Sequence, residues 1–139
     1  VIIADTNVVS ELMRREPDGA VVAWSEALAR HEVGITAITV EEIERGIGRL
    51  PQGHRRDDLA RRWQSIIDHH ADGVLPYDES AARATARLLV KAEAAGRTIS
   101  LADAEIAGIC LALASDLATR NVKDFRDIEG LTVIDPWLT

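Results

Sequence analysis

Four places in the chain set acids or amides directly beyond a short apolar run. Asp5 ends the run Val1 to Ala4 in an Asp5-Thr6-Asn7 turn. Glu42 lies three residues after Thr39, just past the β-branched run Val33 to Ala37. Asp103 lies three residues after Ser100, and Asn121 and Asp124 follow a run ending near Thr119. Carboxylates gathered at one point repel one another and raise their own pKa values, so such a set is kept mainly where a cation neutralises it. Oxygen donors of this kind suit Mg2+ or Mn2+, which activate water and stabilise charge on a phosphodiester. No histidine or cysteine belongs to the set, which argues against zinc. The same residues also read as helix caps. Thr39 with Glu42 matches a capping box, Ser100 with Asp103 is its close relative, and Asn121 caps a turn with Asp124 in its first turn. The two readings are compatible, because a capping position also aims a carboxylate at the crevice beyond the strands.

The elements that must position these residues follow from the apolar pattern. Val1 to Ala4 reads as a buried strand, and Val8, Val9, Leu12 and Met13 as a short helix after it. Pro17-Asp18-Gly19 punctuates the chain before a second helix from Ala20 to Arg30. Val33 to Ala37 is a second strand. Thr39 to Leu50 is a helix with Val40, Ile43 and Ile47 at helical spacing, capped by Thr39 and closed by Pro51-Gln52-Gly53. Arg55 to His70 is amphipathic along Leu59, Trp63, Ile66 and Ile67. Gly73 to Pro76 holds a short strand, placed at an edge by Pro76. Asp78 opens a long helix ended by Gly96. Ser100 to Ala114 is apolar nearly all round, the mark of a central helix covered on both sides. Asp116 to Thr119 and Thr132 to Ile134 are further strands, with a turn and one helical turn between Asn121 and Ile128. Short buried strands alternating with helices predict an α/β fold. It has three layers, with a mainly parallel sheet of about five strands and helices on both faces, in a single domain over residues 1–139. Ligands of such sheets gather beyond the carboxyl ends of the strands.

The composition sets limits on partners. The 139 residues are 47% hydrophobic but only 4% aromatic, so Ala, Leu, Ile and Val build the core. Sixteen Lys and Arg against 23 Asp and Glu leave a net charge of -7, which excludes a generic nucleic-acid coat. A polyanion needs a local basic patch or metal ions to approach. Arg14 and Arg15 follow the first helix, Arg45 and Arg49 share a side of the Glu42 helix, and Arg55, Arg56, Arg61 and Arg62 surround the next helix start. Arg45 and Arg49, with Arg120, are the candidates for holding phosphate. His31, His69 and His70 read as solvent-side residues. Trp24, Trp63 and Trp137 are dispersed and read as packing or subunit contacts. The apolar faces around Trp24 and Trp63 exceed what one small core hides, so a homodimer is expected. The single cysteine, Cys110, excludes an internal disulfide. The longest apolar stretch, Ile106 to Ala114, falls well short of the ~20 residues of a membrane span. Neither a membrane segment nor a secretion signal is expected, the start at Val1 suggests trimming, and the cytoplasm is the expected setting.

Four segments together resemble the PIN-domain family, in its branch of VapC- and FitB-like toxin-antitoxin nucleases. Ile3-Ala4-Asp5-Thr6-Asn7-Val8-Val9-Ser10-Glu11 resembles the first acidic motif, with Asp5 as its aspartate. Ile38-Thr39-Val40-Glu41-Glu42-Ile43-Glu44-Arg45-Gly46 resembles the second and places the family glutamate at Glu42, with Glu41 its neighbour. Leu101-Ala102-Asp103-Ala104-Glu105-Ile106-Ala107 resembles the third, with Asp103 as the acid and Glu105 as an accessory at most. Ala118-Thr119-Arg120-Asn121-Val122-Lys123-Asp124-Phe125 resembles the fourth, with a departure: some relatives carry aspartate where this chain has Asn121. The resemblance spans essentially the whole length.

The resemblance implies dimers, Mg2+- or Mn2+-dependent cleavage of RNA, and a small antitoxin that occludes the site. Such an antitoxin often carries a DNA-binding domain, so a larger assembly on operator DNA is implied as well. On this reading Asp5, Glu42 and Asp103 hold the principal metal, Asn121 or Asp124 completes the outer site, and Thr6 and Thr119 orient the ligands. Two other readings use the same residues. One is a weakly active or non-enzymatic partner of the antitoxin in an operator complex. The other is a metal-dependent phosphatase or DNA nuclease.

Overall fold

The computed structural model describes residues 1–29, 32–69 and 73–138. Strand β1 (Ile2–Ala4) leads into helices α1 (Thr6–Leu12) and α2 (Gly19–Glu26), then β2 (Val33–Gly34). Helices α3 (Ala37–Gly48), α4 (His54–His69), α5 (Glu79–Ala94) and α6 (Leu101–Leu113) follow. Strand β3 (Asp116–Ala118), helix α7 (Val122–Phe125) and strand β4 (Val133–Ile134) end in a 3-10 turn at Pro136–Leu138. The expected helix ends at Arg30 and His70, and His31 and His70 themselves, lie outside the described residues. His69 is exposed. Among the described residues no helix is long and apolar enough to cross a membrane.

The sheet is parallel throughout, in the order β2-β1-β3-β4. Among the described residues it has four strands, where about five were expected. The run Gly73 to Pro76 contributes one bridge, Leu75 to Thr36, with Leu75 N–H donating to Ile35 O and Ala37 N–H to Leu75 O, each at 2.9 Å. Pro76, without an N–H, leaves no donor on the side of this segment that faces away from Ile35 and Ala37, as suits an edge.

Alternation along the strands divides the core into two layers. Ile3 and Leu117 point into a cluster with Leu88, Ile106, Ile109 and Phe125, on the side of α5, α6 and α7. Their neighbours Ala4 and Ala118 point into a second cluster with Val8, Val21, Ile35, Ile43 and Trp63, on the side of α1 to α4. The middle of α6 is buried as its composition predicts, while Leu101 and Leu113 at its ends are exposed. Cys110 is fully buried, and burial pushes its thiol up to about 12. Trp24, Leu28 and Ile66 are partly buried and line an apolar groove of about 390 Å³ between α2, β2 and α4.

Caps fix where the helices begin and end. Asp5, Asp18, Asp78 and Ser100 each accept a backbone N–H at a helix start. At the end of α5, Arg97 N–H reaches Ala92 O and Gly96 N–H reaches Glu93 O, with Gly96 at φ 70°. That is a Schellman turn, in which glycine takes the left-handed position without a Cβ clash. Helix α3 departs from expectation. Its cap is Thr36, whose hydroxyl accepts from Thr39 N–H at 3.2 Å, so the helix starts two residues before Thr39. Glu42 therefore lies beyond the first turn and is no part of a capping box.

Candidate metal centre

The sheet order makes a crevice. From β1 the chain passes to β2 on one side and later returns to β3 on the other, and the two connections separate at the carboxyl end of β1. Register pairs Ala4 with Ala118, so Asp5 and Thr119 emerge side by side. Asp5 N–H donates to Ala118 O at 2.9 Å and ties Asp5 to the sheet just as α1 begins. The result is an open cleft of about 580 Å³, with Asp5, Glu42 and Asp103 in its walls together with Thr6, Asn121 and Arg120.

Asp5 is held on every side. Its Oδ1 accepts from Thr6 N–H at 2.8 Å. Its Oδ2 accepts from the Thr119 hydroxyl at 2.8 Å and from Asn7 Nδ2 at 3.1 Å. Asn7 Nδ2 also donates to Thr119 Oγ1, and Asn7 Oδ1 accepts from Arg120 N–H. Asn7 thus links the exits of β1 and β3. On the other wall, Thr6 Oγ1 donates to Glu42 Oε1 at 2.7 Å and lies 3.0 Å from Thr39 Oγ1. The expected orienting role of Thr6 and Thr119 has this geometry beneath it.

The electrostatics are those of part-buried acids near enough to feel one another's charge. Burial raises the Asp5 carboxyl above its ordinary range, and the Asp103 and Glu42 carboxylates raise it further, against hydrogen bonds from Thr119 and Thr6. Burial also raises Asp103, with Asp124 and Glu42 adding to it and the Ser100 hydroxyl opposing. The donors are carboxylate, amide and hydroxyl oxygens, with neither imidazole nor thiolate lining the cleft, which suits a hard divalent cation. Among the described residues no three acidic, histidine or cysteine side chains lie close enough together to grip an ion by themselves. An ion here would complete its shell with water, as Mg2+ commonly does.

The other candidates divide. Asn121 faces the cleft, and its N–H donates to Thr119 Oγ1 at 3.1 Å. Asp124 lines a separate cavity with residues of α5, α6 and α7, yet stands near enough to raise Asp103. Arg120 lines the cleft, whereas Arg45 and Arg49 do not; Arg45 pairs with Glu41 at 2.9 Å on the exposed side of α3. Four lining residues carried no expected role in the site: Asn7, Ser10, Glu11 and Trp137. Asn7 stood inside the first motif as a signal of position. Glu11 is buried, accepts from Asp18 N–H at 2.9 Å and so anchors the start of α2. Trp137 is brought in by the pairing of β3 with β4, which local sequence does not encode.

This arrangement has known counterparts. The model of the PIN domain matches residues 2–131. The plasmid stability protein StbB of Pseudomonas syringae pv. tomato is 41% identical over 138 residues, covering 99% of both chains. The VapC ribonuclease Y4jK of Sinorhizobium fredii is 38% identical, over 99% of this chain and 98% of its own. Toxin FitB of Neisseria gonorrhoeae is 36% identical over 99% of both. In a structure of FitAB bound to an IR36 DNA fragment, one chain matches with a TM-score of 0.90 and 36% identity, over 99% of this chain and 96% of that one. Fold, cleft and sequence agree along the whole length, and the chain belongs to the PIN-domain family.

Proposed function

We propose that this chain is a divalent-metal-dependent endoribonuclease, acting as the toxin of a type II toxin-antitoxin pair in the cytoplasm, with residues 1–139 as its one functional domain. The observation that carries it is the opening of Asp5, Glu42 and Asp103, from three separate elements, onto one cleft at the switch point of the sheet. In this reading Asp5, Glu42 and Asp103 hold Mg2+ or Mn2+, with Asn121 or Asp124 completing the outer side. A bound divalent ion supplies a nucleophilic water at neutral pH and charge stabilisation at phosphorus.

The chain's own side chains do the rest. The Thr119 hydroxyl opposes the rise in the Asp5 pKa and, with Asn7, aims the carboxylate, and Thr6 fixes one oxygen of Glu42. Arg120 meets a phosphate of the substrate strand. A cognate antitoxin with a DNA-binding domain neutralises the toxin, and the apolar groove at Trp24 and Ile66 supports an expectation of protein contacts, including a homodimer.

The test is cleavage of RNA with Mg2+ or Mn2+ by the wild type and by Asp5→Asn. Loss of about 100-fold or more is expected for the variant, on the scale of losing a metal ligand or its support. Equal activity in both would sink the assignment.

A second reading has its own support. Asn121 is neutral where some relatives carry aspartate, and the FitAB relative was solved on DNA. There the chain serves mainly as the antitoxin's partner in an operator complex. Tighter operator binding with no RNA cleavage at saturating metal would favour it. A panel of RNA, DNA and phosphomonoesters separates both from a DNA nuclease or phosphatase.

A further inference from the structure

The wall of the cleft opposite Glu42 carries a pair that the nuclease reading does not use in full. The Arg120 guanidinium carbon sits 5.0 Å from the centre of the Trp137 ring. Both residues line the cleft. Their meeting follows from the sheet: Ala118 pairs with Ile134, and Thr119 N–H donates to Ile134 O at 2.9 Å, so the two exits run together. Each partner is fixed independently. Arg120 N–H is tied to Asn7 Oδ1 at 3.3 Å. Trp137 N–H donates to Asp135 Oδ1 at 2.9 Å, Pro136 is buried, and the indole packs against the second core cluster.

Charge shows why the ring matters. Asp5, Glu11, Glu42 and Asp103 make this cleft strongly anionic. An exposed arginine beside them would ordinarily be drawn onto a carboxylate. Arg14, the other cation in the wall, does pair with Glu11, at 3.4 Å. Arg120 belongs to none of the ion pairs among the described residues. Its charge rests on an aromatic face, which attracts a cation without neutralising it. A guanidinium held this way remains available to an oxyanion, and its planar fork suits phosphate.

We propose that Trp137 is a positioning residue for Arg120, and that the pair forms a clamp for a phosphate of single-stranded RNA at this wall of the cleft. The clamp rests on the reading of the cleft as an RNA site, but not on the metal.

The experiment measures binding of a short 5′-fluorescein-labelled single-stranded RNA to the full chain by fluorescence anisotropy, with metal chelated. Arg120→Ala is expected to weaken binding about 10-fold and to lower the slope of log Kd against log salt by about one. Trp137→Leu is expected to weaken binding about 5-fold, the size of one lost cation-ring contact. Trp137→Phe restores most of it. The double variant Arg120→Ala with Trp137→Leu binds no worse than Arg120→Ala alone, because the ring acts through the arginine.

Parent-like binding by Trp137→Leu, losses that multiply in the double variant, or no RNA binding by the parent overturns the proposal. Because Trp137 also packs on the core, Trp137→Met, whose flexible side chain fills space without offering a ring face, serves if Trp137→Leu does not fold. It is expected to bind about 5-fold more weakly, as the leucine variant would; parent-like binding overturns the ring's role. RNA binding that obeys this pattern without cleavage on adding Mn2+ would sink the nuclease reading and leave the clamp standing.

Discussion

Asp103 shows what the cleft costs the fold when no cation is present. Its carboxyl titrates above the ordinary 3.8 because burial penalises the charge and Asp124 and Glu42 repel it. A pKa raised by folding means that ionisation favours the unfolded chain. The stability attached to this group is therefore whole below pH 3.8 and is lost as pH rises through the raised value. Asp103→Asn removes the charge while keeping the shape. In chelator at pH 7 the variant is expected to melt a few degrees above the wild type, with the gap closing as the pH falls toward 4, as followed by circular dichroism. A gap that does not change with pH would show that burial and repulsion are not the cause. Asp5 shares the direction of shift but is a poorer subject. Its two oxygens accept three hydrogen bonds, and an asparagine there would oppose its own N–H groups to one of the donors.

At the scale of elements, the sequence was legible wherever one local rule decided the outcome. Asp78 and Ser100 announce helix starts, Gly96 announces an end, and each stands where its cap chemistry places it. The start of α3 was not legible. Thr36 and Thr39 are both competent caps three residues apart, and β-branched residues surround them. The choice was made by tertiary pairing, since Leu75 bridges Thr36 and holds Ile35 and Ala37. The same distance from local rules hid Trp137, which reaches the cleft only through the register of β3 with β4. Asp124 was read with Asn121 as completing the outer site, and α7 carries it into the cavity beside α5 and α6, still near enough to raise Asp103. Helix packing carries a further demand that composition does not show. At Gly108 of α6 a Cβ would land on Thr85 Oγ1 of α5 and 2.8 Å from Ala81 O. The backbones of α5 and α6 cross there with no room for a methyl group. Gly108→Ala is expected to destabilise by about 1–3 kcal/mol, as overpacked cores do, despite alanine's better helix propensity. Urea denaturation at fixed pH would measure it, and a stabilised variant would mean that the helices separate at little cost.

For the whole molecule, the three carboxylates connect the cleft to global stability. They come from the exit of β1, from α3 and from the start of α6, so the site spans both layers of the core. A cation bound among them would add a further tie to elements that already touch at this end of the sheet, as Thr6 and Glu42 do, and would cancel the repulsion that raises Asp5 and Asp103. Any ligand that binds only the folded chain stabilises it in proportion to the logarithm of its saturation. With Mn2+ at about 100 times its Kd, the gain is about 2.7 kcal/mol, or a rise of about 5–10 °C in Tm for a chain of this size. The same titration of Asp103→Asn is expected to give a much smaller rise, so that the order of the two proteins reverses between chelator and Mn2+. That reversal separates a metal centre from a merely crowded acidic surface. Screening by diffuse ions would raise both Tm values alike and leave the variant ahead. If Mn2+ moves neither protein, the carboxylates of this cleft do not serve a metal, and the hydrolytic chemistry proposed for them has no source.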